Sequence, residues 1–236
     1  KRVREARDKA IAASRKAEER SRKALEATQR VVAKINELDR QYKAYTEAAE
    51  KQYADGSSMK LQADTQDSSN VVGSIAGIAG NVGAVKLFND SRRNRLRARA
   101  ALRRMDQLTA TLSRASDSGF DSLPDDAGTS VVFDVRRDKV SGSLLVADNH
   151  IRYTEQPVSA RGKKPPKDMS FEASCSDLKS AKTDGLPILR DIDELLGTVY
   201  AVSIRTKSRK ITLRPVNGDW MDVLGSIYLA CPSRNF

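Results

Sequence analysis

The chain has 236 residues, 39% of them apolar, 5% aromatic and 31% charged, with a net charge of +11 and two cysteines. That length suggests one or two domains, two cysteines exclude a disulfide-dense secreted scaffold, and the lean apolar content suits long exposed helices joined to one compact core. The charge is uneven: residues 1–55 carry 15 basic and 10 acidic side chains, residues 92–115 carry 8 and 1, and residues 116–236 carry 17 and 17, so the basic field belongs to the N-terminal half and favours anionic partners.

The first segment reads as one long helix. It has no proline before Pro124 and no glycine before Gly56, and Ala, Arg, Lys and Glu dominate it, all strong helix formers. Apolar residues step by three and four through Val31, Ile35, Leu38, Tyr42, Tyr45 and Ala49, which is a heptad seam for packing on another helix. Leu25, Val31, Ile35, Leu38, Tyr42 and Tyr45 are the expected helix–helix interface. Acid-to-base pairs at i,i+4, such as Glu19–Lys23 and Glu47–Lys51, each support the helix by about 0.2–0.5 kcal/mol. Asp55-Gly56-Ser57-Ser58 reads as a stop signal, and a loop is expected near 56–69.

A second helix follows, capped from Ser68, Ser69 or Asn70. It contains Gly73, Gly77, Gly80 and Gly83, each costing about 1 kcal/mol relative to alanine in a helix interior. Small residues on one helix face permit close backbone approach, so Gly73, Gly77 and Gly80 join the expected helix–helix interface, against the first helix or a second subunit. The 18 residues from Ser68 to Val85 carry no charge but are rich in Gly, Ser and Asn, which argues against a membrane span. The helix then turns basic at Arg92, Arg93, Arg95, Arg97, Arg99, Arg103 and Arg104. Ala98, Ala101, Leu102, Met105, Leu108 and Leu112 share one face, with Leu96 an exception among the arginines. These arginines are either solvated flanks of a packed helix or a surface for an anionic partner. That partner is an acidic protein or nucleic acid, matched by bidentate guanidinium pairing, or anionic lipid. Residues 116–130, rich in Ser, Asp, Gly and Pro, form the expected linker.

From residue 131 the pattern becomes strand-like at short spacing. Expected strands are Val131–Val135, Val140–Val146, Ile151–Tyr153, Met169–Ala173, Leu178–Ala181, Val199–Arg205 and Lys210–Arg214. Asp148-Asn149 and Lys207-Ser208-Arg209 are tight turns. Arg161–Lys167 is a basic loop, and Asp184–Gly197 is long and apolar enough for a short helix or a partner surface. Trp220, Val223, Leu224, Ile227 and Tyr228 repeat at helical spacing, placing the only tryptophan on a closing helix. The fold class is therefore α+β and multidomain: a helical, coiled-coil-like region over 1–115, a linker, and a β domain over 131–236.

The β domain resembles the pleckstrin-homology-like fold, in particular its GRAM-like members. The resemblance rests on Val140-Ser-Gly-Ser-Leu-Leu-Val-Ala-Asp-Asn-His-Ile-Arg-Tyr153, Met169-Ser-Phe-Glu-Ala173 with Leu178, Val202–Arg205 paired with Lys210–Leu213, and the Trp220 helix. It covers about the last hundred residues and implies a seven-stranded barrel capped by a helix, docking lipid headgroups or protein segments without catalysis. Members that bind phosphoinositides carry basic residues around the first hairpin. Here Arg136, Arg137, Lys139 and Arg152 are interrupted by Asp134 and Asp138 in a neutral domain, which argues against strong phosphoinositide binding.

Catalytic and metal-binding patterns are absent. His150 is the only histidine and the cysteines are Cys175 and Cys231, so there is little to build a triad or a zinc site from. No phosphate-binding loop or dinucleotide fingerprint occurs, and no cofactor is expected. The cysteines can form one bridge. Nothing resembles a signal peptide, although a start at Lys1 inside a helical pattern is that of a processed or truncated chain, and the compartment stays open. The expected role is a non-enzymatic scaffold that self-assembles, or binds a protein partner, through its helices and docks a ligand through the β domain. Peripheral binding to anionic lipid and nucleic-acid binding through the arginine helix are the alternatives.

Overall fold

The computed structural model describes residues 2–65, 71–118, 123, 130–156, 169–184, 201–217 and 219–233, with residues 2, 3, 6 and 71–76 described as backbone only. Two long helices come first, α1 (Arg2–Thr65) and α2 (Val71–Ser118). Among the described residues seven strands follow: β1 (Ser130–Arg137), β2 (Val140–Ala147), β3 (His150–Glu155), β4 (Phe171–Ser174), β5 (Leu178–Asp184), β6 (Ala201–Thr206) and β7 (Lys210–Pro215). Helix α3 (Trp220–Ala230) ends the described fold. The basic loop at 161–167 and the apolar stretch beyond Asp184 lie outside the described residues.

Two compact units emerge, Lys1–Arg40 with Leu102–Thr129, and Gln41–Ala101 with Ser130–Phe236. In the first, Ala27, Ala115 and Leu123 form a small buried cluster against Leu112. Val31 and Leu38 are buried as the heptad seam requires, and Ile35 is half-buried. Leu25 departs from the seam and is 59% exposed. Ala27 holds the inward position, packed with Ala115 and Leu123. Leu25 instead shares a solvent-facing stripe with Val32 and Ile11, seven residues on and fourteen back.

In the second unit α1 and α2 run antiparallel, and the expected break at Asp55-Gly56 does not occur. Helix α1 continues to Thr65. Gly56 is buried, and a Cβ there would lie 3.1 Å from Phe88 Cε1 and 3.2 Å from Leu87 Cβ. The glycine serves a close helix crossing rather than a stop, and packing such as Tyr53 on Phe88 (ring centroids 5.5 Å apart) offsets its propensity cost of about 1 kcal/mol. Three ladder glycines also face α1: Gly80 and Gly77 meet Ala63, and Gly83 meets Met59. Gly73 lies in a part of α2 described as backbone only.

The strands form an antiparallel sheet in the order β4-β3-β2-β1-β7-β6-β5. Its outer strands are consecutive in the chain, joined by a 3-10 turn at Cys175–Asp177. Two-residue connections link β1 to β2 and β2 to β3, and each has one residue in the left-handed region, Asp138 (φ 56°) and Asn149 (φ 63°), as tight hairpins require. Alternation is cleanest in β2, where Val140, Gly142, Leu144 and Val146 point inward. The core joins Val135, Leu144, Ile151, Tyr153, Leu178, Val202, Ile204 and Leu213 to Trp220, Val223, Leu224 and Ile227 of α3. Asp219 caps α3 by accepting the Asp222 N–H. At the other end of α3, the Asn149 N–H donates to the Ala230 carbonyl at 3.2 Å. Cys231 is bridged there to Cys175, with the Cα atoms 5.4 Å apart.

Candidate functional site

The arginine-bearing stretch of α2 lies against the sheet domain within the second unit. Leu96, the apolar exception among the arginines, is a member of the sheet-domain core. It reaches that core because α3 has Gly225 at the crossing, where a Cβ would collide with the Leu96 carbonyl oxygen and come within 3.3 Å of Ala100 Cβ. On the other side of α2, Ser91 Oγ donates to the Ala49 carbonyl at 2.7 Å and Asn94 Nδ2 donates to Gln52 Oε1 at 3.0 Å. Helix α2 is therefore buried on two sides, against α1 and against α3.

Several guanidinium groups have partners inside the chain. Arg99 donates to Asp222 Oδ1 at 3.0 Å and to Asp219 Oδ2 at 2.6 Å, and Asp222 is 2% exposed. Arg97 donates to the Tyr228 carbonyl (3.2 Å), Asn94 Oδ1 (3.1 Å) and the Pro232 carbonyl (3.4 Å). It also lies 5.4 Å from the Tyr45 ring centroid. Arg92 sits 5.8 Å from the Trp220 ring and Arg95 5.1 Å from the Tyr53 ring, distances at which a cation is attracted to an aromatic face. Arg93 pairs with Asp90 at 3.1 Å. Arg103 and Arg104 belong to the first unit, the former exposed and the latter buried.

Beside these groups runs a cleft of ≈ 600 Å³, lined by Val82, Val85, Lys86, Asn89, Asp90, Arg93 and Arg97 of α2 and closed by Gln52 of α1. A second hollow of ≈ 240 Å³ lies where α2 meets β5 and α3, against Ser180–Thr183, Trp220, Leu224 and Tyr228. The first cleft concentrates positive charge, with three cationic side chains facing one carboxylate. Burial first, and then the Arg93 charge, hold the Arg97 guanidinium below the usual arginine range, opposed by Tyr45, Tyr228 and Asp90.

The basic residues of the first hairpins are also engaged. Arg137 donates to Glu155 Oε1, and Arg152 makes a two-pronged contact with Glu172 at 3.1 and 3.2 Å. His150 Nε2 lies 3.1 Å from the same Glu172. Arg136 and Lys139 are exposed. Sequence reasoning missed the two α3 carboxylates that receive Arg99. The readable signal was Asp219-x-x-Asp222 at the start of an apolar helix, a spacing that puts both carboxylates on one turn beside the helix N-terminus.

No protein-family model and no curated protein matches this chain. No described helix is long and apolar enough to cross a membrane.

Proposed function

We propose that the chain is a non-enzymatic scaffold that self-associates through α1 and carries a pleckstrin-homology-like docking domain. The observation that carries this reading is the outward stripe of Ile11, Leu25 and Val32, respectively 43%, 59% and 44% exposed. Their separations are multiples of seven, the repeat that keeps a seam facing a neighbouring helix, with Glu18 at the step between Ile11 and Leu25. The inner seam through Val31 and Leu38 is buried within the chain, so the outer stripe is a second seam, and a second copy presents the identical stripe. The strand order, with four strands then three and a closing helix, supports the docking-domain part of the reading. The carboxylate partners of Arg99, Arg137 and Arg152 weigh against a role centred on nucleic acid or phosphoinositides.

Light scattering on the intact chain tests self-association. A dimer or higher oligomer is expected, and Leu25→Glu with Val32→Glu shifts it to monomer without changing the helical circular dichroism. An intact chain that stays monomeric at high concentration removes the reading.

A further inference from the structure

The cleft along α2 has a division of labour that packing does not explain. Ile78, Val82 and Val85 follow one another at i, i+4 and i+7 and are 66%, 66% and 59% exposed. Seven residues of helix make an apolar rail about 10 Å long. The same helix face continues into Lys86, Asn89, Arg93 and Arg97. The surface is thus apolar at one end and cationic at the other, with polar Asn89 and Gln52 between the walls.

The cationic end has charge to offer. Arg97 is half-buried, and its three hydrogen-bond acceptors, the Tyr228 and Pro232 carbonyls and Asn94 Oδ1, are all neutral. A guanidinium has five N–H donors, so donors remain after these three. Lys86 is exposed at the mouth. Asp90 is the only carboxylate among the described residues that line the cleft, and Arg93 holds it. A volume of ≈ 600 Å³ falls within the range of small-ligand sites.

We propose that this cleft binds a small anionic amphiphile, its phosphate- or carboxylate-type headgroup held by Lys86 and Arg97 beside the Arg93–Asp90 pair, and its apolar tail laid along Val85 and Val82 and out over Ile78, one turn beyond the lining residues. Charge-assisted hydrogen bonds from arginine suit an oxygen anion, and the rail removes apolar tail surface from water. Neither part alone suffices: inorganic phosphate lacks the tail, and a fatty alcohol lacks the charge. The site is independent of the outer seam of α1.

Calorimetry on the intact chain tests this with decyl phosphate below its micelle-forming concentration. Saturable binding at one ligand per chain is expected, with inorganic phosphate at least about tenfold weaker, a loss of about 1.4 kcal/mol or more, and decanol giving no saturable signal. Lys86→Glu and Val82→Asp alter exposed positions, so both variants keep the parent melting temperature, and each weakens decyl phosphate binding about tenfold or more. Leu25→Glu leaves the affinity unchanged. Sedimentation with phosphatidylcholine vesicles, with and without phosphatidic acid, separates the sources. Phosphatidic-acid-dependent sedimentation lost in Lys86→Glu places the headgroup on a bilayer, and calorimetric binding without sedimentation assigns a free ligand. Absent saturation, equal binding of decanol, or unchanged affinity in both cleft variants overturns the proposal.

Discussion

Glu155 shows how one residue in the sheet sets a pH dependence. Its side chain is 6% exposed, and burial alone pushes a carboxyl upward. The Arg137 guanidinium, the Met169 N–H and the Tyr153 hydroxyl more than reverse that and hold Glu155 below the ordinary glutamate value of 4.5. Tyr153 is pushed the other way, to about 12, by burial first and the Glu155 charge second. A depressed carboxyl contributes stability above its unfolded pKa and loses it as pH falls through the folded value. The contribution is therefore complete above about 4.5 and declines below it. For Tyr153 the contribution is complete below 10 and is lost as pH rises towards 12. Glu155→Gln is expected to be less stable than the parent at pH 7, with the gap closing on acidification because a protonated glutamate resembles glutamine. Urea midpoints at pH 7 and at pH 3 check this, and a gap that is the same at both removes the linkage. The residue types at this site were plain in the sequence, but their pairing was not. Arg137 and Glu155 are 18 positions apart, and only the β1–β2 and β2–β3 registers together, with Arg137 opposite Val140 and Gly142 opposite Glu155, carry one to the other. The arginine helix shows the same limit. Periodicity identified its faces and singled out Leu96, whereas the Arg99–Asp222 pair spans 123 positions, and the Asp219-x-x-Asp222 spacing marks the carboxylates without naming the arginine that meets them.

At the scale of elements, glycines decide how closely the helices approach. Where α2 crosses α3, the Gly225 position faces the Leu96 carbonyl oxygen, a backbone atom that cannot swing aside. Gly225→Ala forces the two helices apart and is expected to cost about 1–3 kcal/mol. Trp220 fluorescence during urea unfolding reads it as a lower midpoint. Gly77 is the counter-case. A Cβ there meets only the Ala63 carbonyl oxygen at 3.6 Å, ordinary contact distance, so Gly77→Ala keeps the packing and gains helix propensity, about 0.5–1 kcal/mol of stability. Opposite shifts in the two midpoints are expected, and shifts of the same sign remove the distinction. These differences were not legible beforehand. Gly56 looked like a helix stop because a glycine after aspartate commonly is one, and only the Phe88 ring opposite reveals it as a crossing point. Strands were more legible than helix ends, since Asp148-Asn149 and Lys207–Arg209 mark hairpins through their own backbone preferences, which distant neighbours do not override.

At the scale of the whole molecule, one covalent link bears on the fold. Cys175 leaves β4 and Cys231 leaves α3, 56 positions apart. Between them lie β5, β6, β7 and α3, so the bridge closes a loop containing half of the core. Constraining a loop of that length in the unfolded chain is worth about 4 kcal/mol in the chain-entropy treatment, and about 2–4 kcal/mol is the usual yield of a disulfide. The bridge also sits where the Asn149 N–H reaches the Ala230 carbonyl and the Cys175 N–H reaches the Asn149 carbonyl, so the β2–β3 turn, the 3-10 turn and the end of α3 meet at one corner. Loss of the bridge is expected to loosen α3, and with it the seat of Leu96 on the sheet core. Cys175→Ser with Cys231→Ser should therefore lower the urea midpoint seen by Trp220 by an amount corresponding to about 2–4 kcal/mol, with the slope of the transition steeper because an uncrosslinked chain exposes more surface. Adding a reductant to the parent reproduces the effect, and adding it to the double variant changes nothing. A parent midpoint indifferent to reductant assigns the corner to hydrogen bonding and packing alone. Persistent disulfides belong to oxidising surroundings, so production of the chain under reducing and oxidising conditions gives a second readout: the reductant-sensitive, higher-midpoint form accumulates only in the latter.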